Sequence, residues 1–94
     1  MRFTDDARED WRWFDKTHQT RLLDAIEEQL SHHPEVETRN RKRLRSNPLA
    51  SHELRVNSIR VFFNLYEAER VVEVVAIGWK VHNDLFIRGR KAEL

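Results

Sequence analysis

The sequence predicts an α+β fold in which an N-terminal helical hairpin packs on a small antiparallel β-sheet. Apolar residues recur at helical spacing as far as Leu30 and alternate with polar residues from Glu53 onward, so the period falls from about 3.6 to about 2 residues. Only two glycines and two prolines occur among the 94 residues, which indicates regular elements joined by short connections. A chain of this length is expected to form one domain over residues 1–94.

Two helices are predicted in the N-terminal third, after a very short strand at residues 2–3. Thr4 is a favourable N-cap and two aspartates follow it in the first turn, so a first helix is expected over about residues 4–14. Asp15 is expected to cap a second helix, which ends before Pro34 because a proline disfavours helical backbone in the preceding residue. Four apolar residues of this helix are spaced to form one stripe: Leu22, Leu23, Ile26 and Leu30.

Three strands are predicted in the second half, joined into a meander by a tight turn at residues 57–58 and a slightly longer turn at residues 67–70. The first covers residues 53–56 and the second covers residues 59–66. The third covers residues 71–77, where valines are so dense that both faces are expected to be covered, which makes it the central strand. Gly78 is expected to end this strand, and residues 89–94 are expected to fray.

Charge is divided unevenly along the chain. Residues 1–37 carry a formal charge of −5 and residues 38–94 a charge of +6, within a total of +1. Arg55 and Arg60 lie inside the predicted strands, and five further cations crowd the segment before them: Arg39, Arg41, Lys42, Arg43 and Arg45. A small sheet that carries arginines beside a basic loop predicts a surface for nucleic acid; the alternative interpretation is a set of solvated charged faces.

Composition disfavours several kinds of site and location. The chain has no cysteine, so disulfides and thiolate metal sites are excluded and a reducing compartment is favoured. No apolar run approaches the ~20 residues that span a bilayer, and the charged N-terminus does not have the form of a signal peptide, so a cytoplasmic location without a membrane partner is expected. Residues 32–35 read His-His-Pro-Glu and would need further converging ligands to hold zinc, so neither a metal nor another cofactor is expected.

Residues 54–63 of this chain read Leu-Arg-Val-Asn-Ser-Ile-Arg-Val-Phe-Phe and follow the basic segment of residues 40–45. This motif, and the order and spacing of the predicted elements, resemble those of the RelE/ParE superfamily of type II toxin–antitoxin toxins. That family has two N-terminal helices, a basic linker, and a strand pair reading roughly leucine-arginine-valine, a turn, and arginine-valine-aromatic. In the family an acidic turn and a valine-rich strand follow, and then a glycine and a basic residue, here Gly78 and Lys80. The basic linker matches residues 40–45 and ends at the Asn-Pro pair of residues 47–48, so the resemblance covers almost the whole chain.

Such a resemblance implies a toxin that is neutralised by a cognate antitoxin protein. RelE-like members cut mRNA in the ribosomal A site without a metal, whereas ParE-like members inhibit DNA gyrase and are not nucleases. A ribosome-dependent mRNA endoribonuclease, or mRNA interferase, is the favoured function of this chain. The alternatives are a ParE-like gyrase inhibitor and a decayed homologue that only binds its antitoxin.

The resemblance also implies roles for individual residues. Arg60 matches the family arginine at the start of the middle strand, and Lys80 falls where RelE-like proteins place a basic residue after the last long strand. Two positions depart from the family pattern, because Glu53 stands where cutting members tend to have lysine, and Phe86 stands where they often have tyrosine. The charge pattern adds a predicted nucleic-acid-binding set, which consists of Arg39, Arg41, Lys42, Arg43, Arg45 and Arg55.

Metal-free cleavage of RNA requires a base at the ribose 2′-hydroxyl, a cation for the charged phosphorane and an acid for the leaving oxygen. The candidate acid–base groups are His52, Glu53, His82 and Asp84. His52 and Glu53 are neighbours on one strand, so they are expected to point to opposite faces and cannot both face one substrate. Histidine titrates near neutral pH, so His82 joins Arg60 and Lys80 in the predicted catalytic set. The alternative interpretation is that His82 is a surface histidine without a catalytic role.

Overall fold

The computed structural model describes residues 1–45 and 49–92 and has the predicted α+β class. Its elements are β1 (Arg2–Phe3), α1 (Asp5–Trp13), α2 (Lys16–Leu30), β2 (Arg41–Arg43), β3 (His52–Val56), β4 (Ile59–Tyr66), β5 (Val71–Val81), β6 (Asp84–Ile87) and β7 (Arg90–Ala92). A 3₁₀ turn, Glu67–Glu69, joins β4 to β5. The predicted linker end at residues 47–48 lies outside the described residues. Among the helices described, none has the length and apolar character to cross a bilayer.

Strands β2 to β7 follow one another across a single sheet, each antiparallel to the next, and β1 pairs in parallel with β5. One edge of β5 pairs with β4 from end to end. The other edge of β5 is divided, since β1 pairs with residues 73–74 and β6 pairs with residues 79–81. The third predicted strand therefore lies in the middle of the sheet, as its valine content indicates.

Both predicted helix caps are confirmed. The Thr4 hydroxyl accepts a hydrogen bond from the Ala7 N–H at 3.1 Å, and the Asp15 carboxylate accepts one from the His18 N–H at 2.9 Å. These side chains satisfy backbone donors that the first turn of a helix leaves without a partner. Helix α1 contacts β5 and helix α2 contacts β3, so both helices lie on one face of the sheet.

Two apolar clusters cover the two faces of the sheet. The larger lies under the helices and includes Leu22, Ile26, Leu30, Leu54, Val61, Phe63, Val74 and Ile77. The smaller lies on the opposite face and consists of Ala50, Phe62, Ala76 and Leu85. Leu23, the remaining residue of the predicted helical stripe, is 43% exposed, because it is rotated about 100° from Leu22 around the helix axis.

Gly78 does not end its strand, because β5 continues to Val81. A Cβ at Gly78 would lie 2.7 Å from Leu85 Cδ1 and 3.0 Å from the Phe86 carbonyl oxygen. The glycine therefore marks a close approach between β5 and β6, where a side chain would not fit. The expectation that Gly78 terminates the strand is wrong for this reason.

Residues 89–94 are predicted from the sequence to fray, but they contain strand β7, which pairs with β6 from Leu85 to Ile87. The two residues of the connecting turn, Arg88 and Gly89, have positive φ angles of 50° and 75°. Two successive positive φ angles are typical of the tight hairpin turn that matches the twist of the strands. Residues 93–94 lie outside the described residues.

The basic linker is predicted to be a loop, but its residues Arg41–Arg43 form strand β2 at the edge of the sheet. The backbone groups of β2 that face away from β3 form hydrogen bonds with residues just before this strand. The Arg41 N–H donates to the Thr38 hydroxyl at 3.1 Å, and the Thr38 N–H donates to the Arg41 carbonyl oxygen at 2.9 Å. The Arg43 N–H donates to the Glu37 carboxylate at 2.9 Å.

Asp10 of α1 fills the gap between β1 and β6 on the divided edge of β5. Its side chain is buried and accepts a hydrogen bond from the Ile77 N–H at 3.0 Å. The Arg88 Nε lies 3.0 Å from the other oxygen of this carboxylate. Asp10 therefore joins the helix, the central strand and the C-terminal hairpin, a role that no local sequence pattern predicts.

Candidate functional site: the Arg60 cleft

The smaller apolar cluster contributes to the lining of a cleft on the sheet face away from the helices. The cleft has a volume of about 420 Å³, and Phe62 and Leu85 supply its apolar part. Five charged residues, one from each of the last five strands, also line it: Glu53, Arg60, Lys80, Asp84 and Lys91. We call this feature the Arg60 cleft. Three cations and two carboxylates give it a mixed charge.

The strand register explains why Arg60 and Lys80 meet. Arg60 pairs with Gly78 across β4 and β5, and Lys80 is two residues further along β5, so the two cations share one face. The Lys80 N–H donates to the Ser58 carbonyl oxygen at 2.7 Å, which extends the contact between the strands beyond Ile59. Two of the three predicted catalytic residues therefore lie in one cleft.

Glu53 occupies the space between two arginines. One oxygen of its carboxylate lies 3.1 Å from Arg55 Nε and 3.5 Å from Arg60 Nε. The side chains of Glu53 and Arg60 are only 12% and 14% exposed. Burial and the neighbouring Arg55 guanidinium lower the pKa of Arg60, and the Glu53 carboxylate opposes them. Arg60 stays charged at neutral pH because arginine does not lose its proton in proteins.

The rest of the Arg60 guanidinium is only partly engaged. Its Nη1 donates to the carbonyl oxygens of Asn57 at 2.7 Å and Ile59 at 3.1 Å. Its buried Nε has no hydrogen bond of good geometry, since the Glu53 oxygen is 3.5 Å away. Its Nη2 makes no hydrogen bond with the residues that the structure describes. Arg60 is held in position by its own turn and keeps unused donors.

The remaining ion pair of the cleft is more exposed. Lys91 Nζ lies 3.3 Å from the Asp84 carboxylate, and both side chains are more than half exposed. Such pairs stabilise a fold little, so Lys91 is available to an anionic ligand. The sequence does not predict Lys91 as a site residue, because it falls in the segment that is expected to fray.

His82, the third predicted catalytic residue, does not line the cleft. It lies in the turn between β5 and β6, is exposed, and has a positive φ of 56°. Phe86 pairs with Trp79, one register position away from the Lys80–Leu85 pair, so it points to the face opposite Lys80. A tyrosine at this position would therefore point away from the Arg60 cleft, so the phenylalanine does not deprive the cleft of a hydroxyl.

His52 lies on the other face of the sheet from Glu53, as predicted for neighbours on a strand. Its ring stacks on Phe63 with centroids 5.3 Å apart, and its Nδ1 lies 2.7 Å from the Ser51 hydroxyl. Burial and the Arg43 guanidinium lower the pKa of His52, which favours the neutral ring at neutral pH. His52 and Arg60 therefore do not share a substrate site.

Arg41 has a structural role within the predicted nucleic-acid-binding set. Its Nη1 donates to the carbonyl oxygens of Gln29 at 2.7 Å and His33 at 3.0 Å. These contacts satisfy carbonyl groups at the end of α2 and place a cation at the negative end of the helix dipole. The four other cations of the linker are exposed: Arg39, Lys42, Arg43 and Arg45.

The histidine pair after α2 forms no metal centre with its neighbours. His33 Nδ1 lies 3.4 Å from the Glu35 carboxylate, which is an exposed ion pair when the histidine is protonated. Within residues 1–45 and 49–92, no three His, Cys, Asp or Glu side chains converge on one point.

No family model matches the sequence, and no curated protein shows significant similarity to it.

Proposed function

We propose that this chain is the toxin of a type II toxin–antitoxin pair and acts in the cytoplasm as a ribosome-dependent mRNA endoribonuclease. The observation that carries the proposal is the Arg60 cleft, where Arg60 and Lys80 lie together with two carboxylates. These are the two cations that the family resemblance selects, and the register of β4 and β5 brings them to one face. The α+β fold and the order of its elements are consistent with the same family.

The cleft contains groups suited to cleavage of RNA without a metal. In this reaction the 2′-oxygen attacks phosphorus, the bond to the 5′-oxygen breaks, and a 2′,3′-cyclic phosphate and a free 5′-hydroxyl form. One proton leaves the 2′-hydroxyl and one reaches the 5′-oxygen. Lys80 and Arg60 can stabilise the charge of the phosphorane, and Asp84 and Glu53 are the carboxylates that line the cleft. His82 is near in sequence but lies in the adjoining turn.

A second candidate function is supported by the environment of Arg60. Its side chain is only 14% exposed and is bound by Glu53 and two backbone carbonyl groups. No histidine is among the residues lining the cleft. A protein with these features can act by binding alone, as a ParE-like inhibitor of DNA gyrase or as a homologue that only binds its antitoxin.

Induction of the wild-type chain in bacterial cells separates these functions. An endoribonuclease predicts growth arrest, new mRNA ends in primer extension, and unchanged plasmid supercoiling. A gyrase inhibitor predicts growth arrest with altered supercoiling and no new mRNA ends. Co-expression with a small neighbouring reading frame is expected to restore growth and to give a complex that purifies together. Growth without arrest in every condition would contradict the proposal that the chain is an active toxin.

A further inference from the structure

Two arginines face each other across the strand pair beside the cleft. Arg55 of β3 is the register partner of Arg60 of β4. The Arg55 N–H donates away from β4, to the Asn40 carbonyl oxygen at 2.7 Å, so this is a non-hydrogen-bonded pair, in which side chains lie close together. Like charges directly opposite each other destabilise a sheet. The Arg55–Arg60 pair therefore needs an anion.

Glu53 supplies that anion in the free protein. It precedes Arg55 by two residues on β3, so its side chain lies on the same face, and one of its oxygens contacts both guanidinium groups. The match is incomplete, because the contact between Arg60 Nε and Glu53 is 3.5 Å long and this buried Nε has no hydrogen-bond partner among the described residues. A phosphodiester has two non-bridging oxygens on a tetrahedral centre, so each can accept from a different guanidinium group, whereas a single Glu53 oxygen contacts both arginines.

The surroundings also favour an external anion over a purely internal ion pair. Glu53 and Arg60 line an open cleft, where Lys80 and Lys91 supply two further cations. A carboxylate with only a structural role would not require this space or these lysines. By contrast, Glu73 pairs with Arg2 at 3.0 Å and accepts a hydrogen bond from the Tyr66 hydroxyl at 3.1 Å, and none of these residues lines the Arg60 cleft.

We propose that the Arg55–Arg60 pair is an exchange site for a phosphodiester: Glu53 holds the two guanidinium groups in the free protein and releases them when an RNA phosphate enters the cleft. The identification of the anion as RNA rests on the proposed function, whereas the exchange itself rests on the contacts of Glu53. Glu53 then sets affinity and selectivity, since a ligand must bind the arginines better than the internal carboxylate does. Weak anions are rejected by this competition.

Binding of a 2′-O-methyl oligoribonucleotide tests the exchange, because this probe cannot be cut through its 2′-oxygen. Glu53→Gln is expected to bind it about tenfold tighter than wild type (about 1.4 kcal/mol), since the internal competitor loses its charge. Glu73→Gln removes the same charge from an ion pair outside the cleft and is expected to bind as wild type does. Equal affinity of the two variants would overturn the proposal.

The salt dependence of binding separates exchange from a general change of charge in the cleft. Each phosphate neutralised contributes about 0.7 to the slope of log affinity against log salt for a single strand. The two arginines bind one phosphate, and exchange delivers them to it in wild type as well, so Glu53→Gln is expected to raise the affinity with little change in the slope. Asp84→Asn frees Lys91 alone and is expected to steepen it by about 0.7. Equal steepening by the two variants would mean that Glu53 acts only as one more charge, and would reject exchange.

Two further variants keep the outcomes distinguishable. If Lys80→Ala binds the probe as tightly as wild type, RNA does not use the cleft and the proposed function fails, whatever Glu53 does. If Lys80→Ala weakens binding while Glu53→Gln matches Glu73→Gln, the proposed function stands and the exchange fails. Should Glu53→Gln not fold, Arg55→Gln replaces it: exchange predicts weaker binding to RNA, and unchanged binding would reject the proposal.

Discussion

Two shielded carboxylates of this protein, Asp10 and Glu53, each pair with arginine from another strand or turn, yet their surroundings differ. Asp10 is 2% exposed and accepts a hydrogen bond from the Ile77 N–H, so its carboxylate binds a backbone group at the edge of β5. Glu53 is 12% exposed, lines a cleft, and contacts two arginines that face each other. The comparison shows that the Asp10 pair is joined to the backbone and enclosed by the fold, whereas the Glu53 pair lines a cleft and is the one proposed to meet a ligand.

The largest expected effect concerns the cleft. Lys80→Ala is expected to lower the rate of mRNA cutting by about 10²–10³, because a cation that stabilises the phosphorane contributes about that factor. The melting temperature is expected to stay near that of wild type, since no ion pair of Lys80 is part of the described structure. Single-turnover cutting of ribosome-bound mRNA measures the rate, and calorimetry measures the stability. Full activity of this variant would remove Lys80 from the site.

The next effect concerns Asp10. Arg88→Ala is expected to lower the free energy of unfolding by about 2–3 kcal/mol at neutral pH, because it leaves the Asp10 carboxylate buried without a counter-ion. The value is below that of a fully buried pair because Arg88 is 44% exposed. Chemical denaturation measures it. An unchanged stability would place Asp10 among the exposed, weak pairs and would remove the contrast with Glu53.

The pH dependence of this variant gives the control. Burial raises the pKa of Asp10 from its ordinary value, and the Ile77 N–H and Arg88 oppose that rise. A carboxyl with a raised pKa binds its proton more tightly in the folded state, so its contribution to stability falls as the pH rises through the interval between the unfolded and folded values. In Arg88→Ala the loss is therefore expected to shrink at acid pH. The double variant with Asp10→Asn is expected to recover most of it at every pH.

A smaller effect is expected from the packing that supports the cleft. Gly78→Ala places a Cβ within 2.7 Å of Leu85 Cδ1 and 3.0 Å of a backbone oxygen. The Leu85 side chain can move, but the backbone of β6 must shift as well, so a loss of about 1–2 kcal/mol is expected. Thermal unfolding measures it.

The smallest effect on stability is expected in the basic linker. Lys42→Ala combined with Arg43→Ala is expected to flatten the salt dependence of RNA binding by about 1.4 without a change in melting temperature, since both side chains are exposed. Arg41→Ala is expected to destabilise the end of α2, because the carbonyl groups of Gln29 and His33 lose their donor. The reverse pattern would make Arg41 the ligand-binding residue and the other two structural.

The sequence predicts those features that depend on local patterns. The caps at Thr4 and Asp15 and the alternation in β3 and β4 follow from spacing along the chain. The shared face of Arg60 and Lys80 instead depends on the register of β4 and β5. Gly78 is misread because its role depends on the close approach of β6. The Asp10–Arg88 pair and the position of Lys91 depend on a hairpin that brings distant residues together. Long-range contacts of this kind leave no periodic signal in a single sequence.

The outer edge of β2 has a consequence for how the protein behaves at high concentration. A strand at the border of a sheet can recruit a strand of another molecule, and extended ladders of this kind lead to aggregates. In β2 the two N–H groups that face outward already donate to Thr38 and Glu37. Its exposed side chains, Lys42 and Arg43, are positively charged and repel a copy of the same edge. The basic segment that is proposed to bind RNA thus also disfavours edge-to-edge pairing between two copies of this protein.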